Sequence, residues 1–364
     1  MRFVVAIFFG WFIMFSCQED VIVDNDPNAN NPIHEYLIKT VENEDLPGLI
    51  AAIVDESGIR LIESSGVRKY GGSEDLTTSD LIHIGSCTKA MTSALVGVLV
   101  DKGLLTWETT VLDVFPEFEN VIHEDFYGVS IHQLVTHRGG VKRDADNWSA
   151  YLNIGLMDRR IAIIKDNLAE APTNDRGDYQ YSNLGYVIAG SMLERILDMP
   201  WEEIIQQELF TPLGMTSVGF GSPGTIDSED QPWGHFKDGR GWRSIQTDNP
   251  EALGPAGRVH TSFQDWAKFL QIQLPDANPS LLSRQQLNYL VEPVGNYAAG
   301  WVVENRSWAN GRTYSHTGSN TMWFATVWIA PEINRIYMVA TNSADDKSFD
   351  ILDKTIGELI DYDP

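Results

Sequence analysis

Ile84-Gly85-Ser86-Cys87-Thr88-Lys89 opens a run in which the residues from 87 to 100 are almost all apolar or small, until Asp101, Lys102 and the stop signal Gly103. Such a stretch reads as a helix buried inside a domain. Positions three apart on a helix share a face, so the Ser86 hydroxyl and the Lys89 amine come within hydrogen-bond reach as nucleophile and base. Burial disfavours the charged form of a lysine and makes a neutral amine available to take the serine proton. The helix N-terminus adds partial positive charge beside a developing oxyanion. Ser-x-x-Lys is a short pattern, and in isolation it marks a helix cap followed by a solvated lysine more often than a catalytic pair. The apolar helix behind it shifts that balance, because a lysine in its first turn reaches water only by snorkelling.

Working outward, residues 49–54 and 59–65 are strand-like runs around the turn signal Glu56-Ser57-Gly58, which predicts a β-hairpin. Before it, Ile33, Tyr36, Leu37 and Val41 recur at helical spacing, and Leu46-Pro47-Gly48 ends that helix. After residue 104 the pattern changes to helices joined by irregular segments, with strands scarce. One helix is marked by Trp266, Phe269, Leu270 and Leu274, and another covers 186–197. Residues 300–305, 312–317, 322–330 and 335–341 are β-rich, with Asn310-Gly311 and Glu332-Ile333-Asn334 as turns, and 348–360 closes the chain as an amphipathic helix. The expected class is α/β (α+β): an antiparallel sheet flanked by helices, with a central all-helical insertion. Residues 32–364 form one domain, its α/β part about 32–103 and 291–364 and its helical part about 104–290.

With 364 residues the chain can bury a large core. Its 51 acidic against 26 basic residues give a formal charge of -25, which speaks against nucleic acid or an anionic membrane surface as partner. Cys17 and Cys87 lie in unlike contexts, so no disulfide framework is expected, and no clustered Cys/His pattern suggests a metal. Residues 3–15 form an uninterrupted apolar run, too short to span a membrane comfortably and suited to a secretory leader. Met14-Phe15-Ser16-Cys17 resembles a relaxed bacterial lipobox. It implies cleavage after residue 16, a lipid on Cys17 and an extracytoplasmic protein anchored by that lipid. Residues 17–31, rich in Asp and Asn, then form a flexible tether.

Several further stretches occur in order: Leu46-Pro47-Gly48-Leu49, Thr136-His137-Arg138-Gly139-Gly140, Tyr181-Ser182-Asn183, Pro212-Leu213-Gly214-Met215, Gly254-Pro255-Ala256-Gly257 and His316-Thr317-Gly318. With Ser86-Cys87-Thr88-Lys89 they make the chain resemble, over roughly residues 32–360, the serine hydrolases of the class C β-lactamase and penicillin-binding-protein superfamily. That resemblance implies Ser86 as nucleophile, Lys89 as its base, Tyr181 as a member of the proton relay and Asn183 as a holder of the substrate amide. It also implies an oxyanion hole from the backbone amides of Ser86 and Ser319, and substrate contacts along His316, Thr317, Gly318 and Ser319. A phenol near two cationic groups is expected to have a lowered pKa. His137 is read as shaping the helical part, with no chemistry assigned. Trp233, Trp242 and Trp323 fit either a pocket wall or a core.

One departure bears on the substrate. Lactamases and transpeptidases usually carry Lys-Thr-Gly where this chain has His316-Thr317-Gly318, and a histidine of ordinary pKa about 6.5 is mostly neutral at pH 7. The expectation is therefore an acyl-enzyme serine hydrolase of ester or peptide-like amide bonds, resembling D-amino-acid-handling peptidases and esterases, with no metal or organic cofactor. A true β-lactamase or D-alanyl carboxypeptidase, and a catalytically silent muropeptide sensor, are the rival readings.

Overall fold

Strand β1 (Gly48–Asp55) is buried at every position, because it lies inside a sheet covered on both faces. A computed structural model describes residues 31–275 and 281–363; the leader, Cys17 and the tether as far as residue 30 lie outside the described residues. β1 turns through Glu56-Ser57 into β2 (Gly58–Gly66), with the Asp55 carboxylate accepting from the Ser57 amide at 2.8 Å. The remaining strands of the sheet come from the far end of the chain: β3 (Val302–Arg306), β4 (Gly311–Ser319), β5 (Phe324–Ala330) and β6 (Arg335–Thr341). All pairings are antiparallel, in the order β2-β1-β6-β5-β4-β3.

Alternation along β1 sorts its side chains between two cores. Leu49, Ala51 and Ile53 face helices α1 (Pro32–Glu44) and α4 (Ser348–Tyr362), meeting Leu37, Ile351, Leu352 and Ile356. Ile50, Ala52 and Val54 face the other way, toward α2 (Thr88–Asp101). A fully buried aliphatic side chain contributes about 1.5–3 kcal/mol, so both faces add to stability. The local signals agree with the elements they begin. Asn31 caps α1 by accepting from the Ile33 amide at 3.0 Å, with Pro32 at the first helical position.

α2 is buried from Thr88 to Leu99, Lys89 included. It packs between the sheet and the helical part, whose central helix α3 (Asn183–Leu197) starts at the Ser182 hydroxyl, acceptor from the Gly185 amide at 2.8 Å. The residues between α2 and β3 are not purely helical. A small sheet joins Ile82–His83, Val259–Thr261 and Gly219–Phe220, and a hairpin joins Gly234–Asp238 to Gly241–Ile245. That hairpin closes through Gly239-Arg240, with Gly241 at φ +114°, a conformation open mainly to glycine. The first of these sheets ends at His83, immediately before the Ser86 turn.

Candidate active site

Ser86 sits in a tight 3-10 turn (Gly85–Cys87) that leads directly into α2, one step ahead of the regular helix. Two glycines let the end of β4 press against this turn. Gly85 has φ +49°, and a Cβ there would stand 2.4 Å from the Ser319 amide nitrogen. A Cβ on Gly318 would stand 2.0 Å from the Ile84 carbonyl oxygen and 2.7 Å from the Ser86 amide nitrogen. The backbones bearing the Ser86 and Ser319 amides are therefore in direct contact. No side chain fits between them.

Lys89 is wholly buried, and its Nζ lies 3.1 Å from Ser86 Oγ. The amine also donates to Asn183 Oδ1 at 2.7 Å and to the Ala256 carbonyl at 2.6 Å, so it is fixed from three directions. Burial pushes its pKa down to about 7, with the Arg143 charge lowering it and the Asp144 carboxylate opposing the shift. Asn183 in turn donates from Nδ2 to Asp144 Oδ1 at 2.8 Å. Asp144, Arg143 and Ala256 were given no role from the sequence. The Gly254-Pro255-Ala256-Gly257 stretch was the available signal: Ala256 holds Lys89, and the Pro255 carbonyl accepts from the Thr92 hydroxyl at 2.7 Å.

The Tyr181 ring lies under two cations, with Lys89 Nζ 4.9 Å and the Arg143 guanidinium 5.2 Å from its centroid. The phenol pKa is nevertheless raised, contrary to the expectation of a lowered one. Burial is the largest influence and outweighs the interaction with Ser86 and the Arg143 charge. At neutral pH Tyr181 is a proton donor.

His316 is buried, and its Nδ1 lies 2.8 Å from the Thr317 carbonyl, which can only accept. Nδ1 therefore carries the hydrogen, and Nε2 accepts from the Tyr297 hydroxyl at 3.2 Å. Its hydroxyl partner is Tyr297 and not Tyr181. Burial, then the Lys89 charge, push the His316 pKa down to about 3, so the ring is neutral throughout the physiological range. His137, in the left-handed region at φ +61°, accepts from the Ser182 amide at Nδ1 (3.0 Å) and packs 4.4 Å from the Tyr181 ring.

Ser86, Tyr181, Asn183, His316, Thr317 and Ser319 line one cleft of about 450 Å³, walled otherwise by Tyr179, Tyr297, Val302, Phe324 and the cation Arg143. A second lobe of about 310 Å³ opens on the other side of Ser86, bounded by Asp144, Trp148 and Asn249. Trp233, Trp242 and Trp323 line neither lobe; Trp323 and Trp242 are buried, and Trp233 donates to the Ser228 carbonyl. Trp148, not singled out in the sequence, lines the second lobe. Among the described residues no group of His, Cys, Asp and Glu side chains is arranged to hold a metal ion.

The family model for beta-lactamase matches residues 33–360. The chain belongs to the beta-lactamase family. Penicillin-binding protein 4 of Amycolatopsis lactamdurans is 26% identical over 346 residues, covering 86% of this chain and 86% of that protein. The unguisins hydrolase of Aspergillus campestris is 23% identical over 282 residues, covering 74% of this chain but only 51% of its own length. Among solved structures, the D-amino acid amidase of Ochrobactrum anthropi SV3 superposes with a TM-score of 0.74 at 17% identity, covering 91% of this chain and 98% of that one. At that identity the likeness is one of fold. Within the beta-lactamase fold the antiparallel sheet supplies β4 and the helical part supplies Tyr181 and Asn183, so the cleft forms where the two meet. Membership of this family supports a serine hydrolase in general.

Proposed function

We propose that this chain hydrolyses ester or peptide-like amide bonds through an acyl-enzyme on Ser86. The observation that carries the reading is a water-excluded lysine amine, with a pKa near 7, held 3.1 Å from a serine hydroxyl in an open cleft. Neutral Lys89 takes the proton as Ser86 Oγ adds to the substrate carbonyl carbon, and the amides of Ser86 and Ser319 receive the oxyanion. Collapse of the tetrahedral adduct expels the alcohol or amine, which leaves with a proton from Tyr181; Lys89 returns its proton to the phenol. Water then adds to the acyl-enzyme with the same groups in reverse, releasing the acid and restoring Ser86. Labelling with a fluorophosphonate and mapping of the adduct tests this: modification at Ser86 together with turnover of p-nitrophenyl esters is expected, and binding without labelling or turnover would indicate a silent muropeptide sensor instead.

Lys89 acts as base only when neutral, and its neutral fraction grows as pH rises through about 7. The rate, kcat/KM, on a neutral ester is therefore expected to rise tenfold per pH unit on the acid side and to level off above about pH 7. A profile flat from pH 5 to 8 would remove Lys89 from the base role.

The preference for uncharged substrates rests on His316. A neutral imidazole offers no fixed charge to a substrate carboxylate, whereas a lysine there would. His316→Lys is expected to raise the ratio of nitrocefin to neutral-ester turnover by about tenfold, the scale of one modest charge-assisted contact. An unchanged ratio would free the lactamase and D-alanyl carboxypeptidase readings from their main objection. The similarity to a penicillin-binding protein gives those readings their support.

We further propose that Cys17 carries a lipid that holds the protein at an extracytoplasmic membrane surface. Cys17→Ser should then move the protein from the membrane fraction to the soluble one; unchanged detergent dependence would refute the anchor.

A further inference from the structure

Behind the two amides that receive the oxyanion lies a buried polar cluster that the chemistry above does not use. Asp248, its side chain 3% exposed, accepts from His83 Nε2 at 3.1 Å, Arg258 Nε at 3.0 Å and Asn320 Nδ2 at 2.8 Å. His83 is wholly buried, and its Nδ1 accepts from the Gly85 amide at 3.1 Å, so Nε2 carries the hydrogen that points at Asp248. Gly85 directly precedes Ser86. Asn320 directly follows Ser319, and its Oδ1 accepts from the Met322 and Trp323 amides at 3.1 and 3.0 Å. Thr321 between them has φ +74°, a costly conformation for a β-branched residue that persists only where its surroundings hold it. The Trp323 ring covers His83 with centroids 5.6 Å apart, keeping water from the cluster.

We propose that Asp248 is a positioning residue that sets the separation of the Ser86 and Ser319 amides, one oxygen fixing the Gly85–Cys87 turn through His83 and the other fixing the end of β4 through Asn320. The two segments come from distant parts of the chain and meet closely through glycine backbone at Gly85 and Gly318, with the Cys87 thiol 3.6 Å from the His316 carbonyl as a further contact, so little side-chain packing is available to fix their separation. A carboxylate with two directed acceptors can fix it. Burial alone would raise the Asp248 pKa, but His83, Asn320 and Arg258 hold it down to about 2, so the carboxylate stays ionised across the working range. Arg258 also offsets the negative charge, which would otherwise oppose an oxyanion forming nearby. Stabilisation of that oxyanion falls steeply when its donors shift from their place.

The proposal rests on the acyl-enzyme reading, and the experiment separates the two. Wild type, Asp248→Asn and Asn320→Ala are titrated with a fluorophosphonate, so that rates refer to folded, reactive sites. They are then assayed on a p-nitrophenyl ester and for affinity toward phenylboronic acid, which forms a tetrahedral adduct on Ser86. The expected result is a fall in kcat of roughly 10- to 100-fold, part of the full loss of one oxyanion donor, with KM within about twofold. Phenylboronic acid affinity should fall in step with kcat. If Asp248→Asn does not fold, Asn320→Ala carries the test, since it leaves the contacts of Asp248 with His83 and Arg258 in place. Variants that melt earlier but keep wild-type kcat and boronate affinity per titrated site would overturn the proposal and leave Asp248 a structural ion pair. A wild type that is not labelled at Ser86 would overturn the acyl-enzyme reading and this proposal with it.

Discussion

Ser86→Ala should abolish covalent labelling and lower turnover roughly 10⁴- to 10⁶-fold, the loss seen when a serine hydrolase forfeits its nucleophile. The turn that carries Ser86 is held by Gly85, His83 and the contact with Gly318, none of which involves the hydroxyl, so the variant should melt close to wild type. Lys89→Met should be nearly as damaging, and the double variant no worse than either single one, because both groups serve the same step. Additive losses would separate Lys89 from the nucleophile's activation. The measurement is kcat/KM on one ester for the three variants, with circular dichroism to show that each is folded.

Tyr181→Phe is expected to lower kcat by about 10²- to 10³-fold, within the range of one lost general acid. The raised pKa of this phenol makes the prediction specific: Tyr181 works as a donor to the leaving group, and a better leaving group needs it less. The loss should therefore be largest on alkyl esters and amides and smallest on p-nitrophenyl esters, whose leaving group departs without a proton. An equal loss on all of them would mean that Tyr181 acts on the nucleophile instead. The cation contacts of the ring survive the substitution, so its packing against Lys89 and Arg143 should hold.

What the sequence determined by itself is what depends on neighbouring residues. The hairpin β1–β2 follows from two apolar runs around Glu56-Ser57-Gly58, the buried helix α2 from an apolar stretch with no polar face, and the Ser86–Lys89 spacing from helix periodicity. The family resemblance carried by the ordered motifs implied Ser86, Tyr181, Asn183, His316, Thr317 and Ser319 as one set, and these residues line one cleft. Neither the long-range partners of Lys89 nor those of Asp248 could be read this way. Asn183 is 94 positions from Lys89, Ala256 is 167, and Asp248 is 165 from His83. Directions of proton affinity were decided at the tertiary level as well. Tyr181 has the Arg143 cation beside its ring, which alone would lower its pKa, yet the desolvation imposed by the packed walls around it wins and raises it. Periodicity fixes which side chains share a face, but the cost of leaving water depends on how much of the whole chain closes over a group, and only the assembled fold sets that.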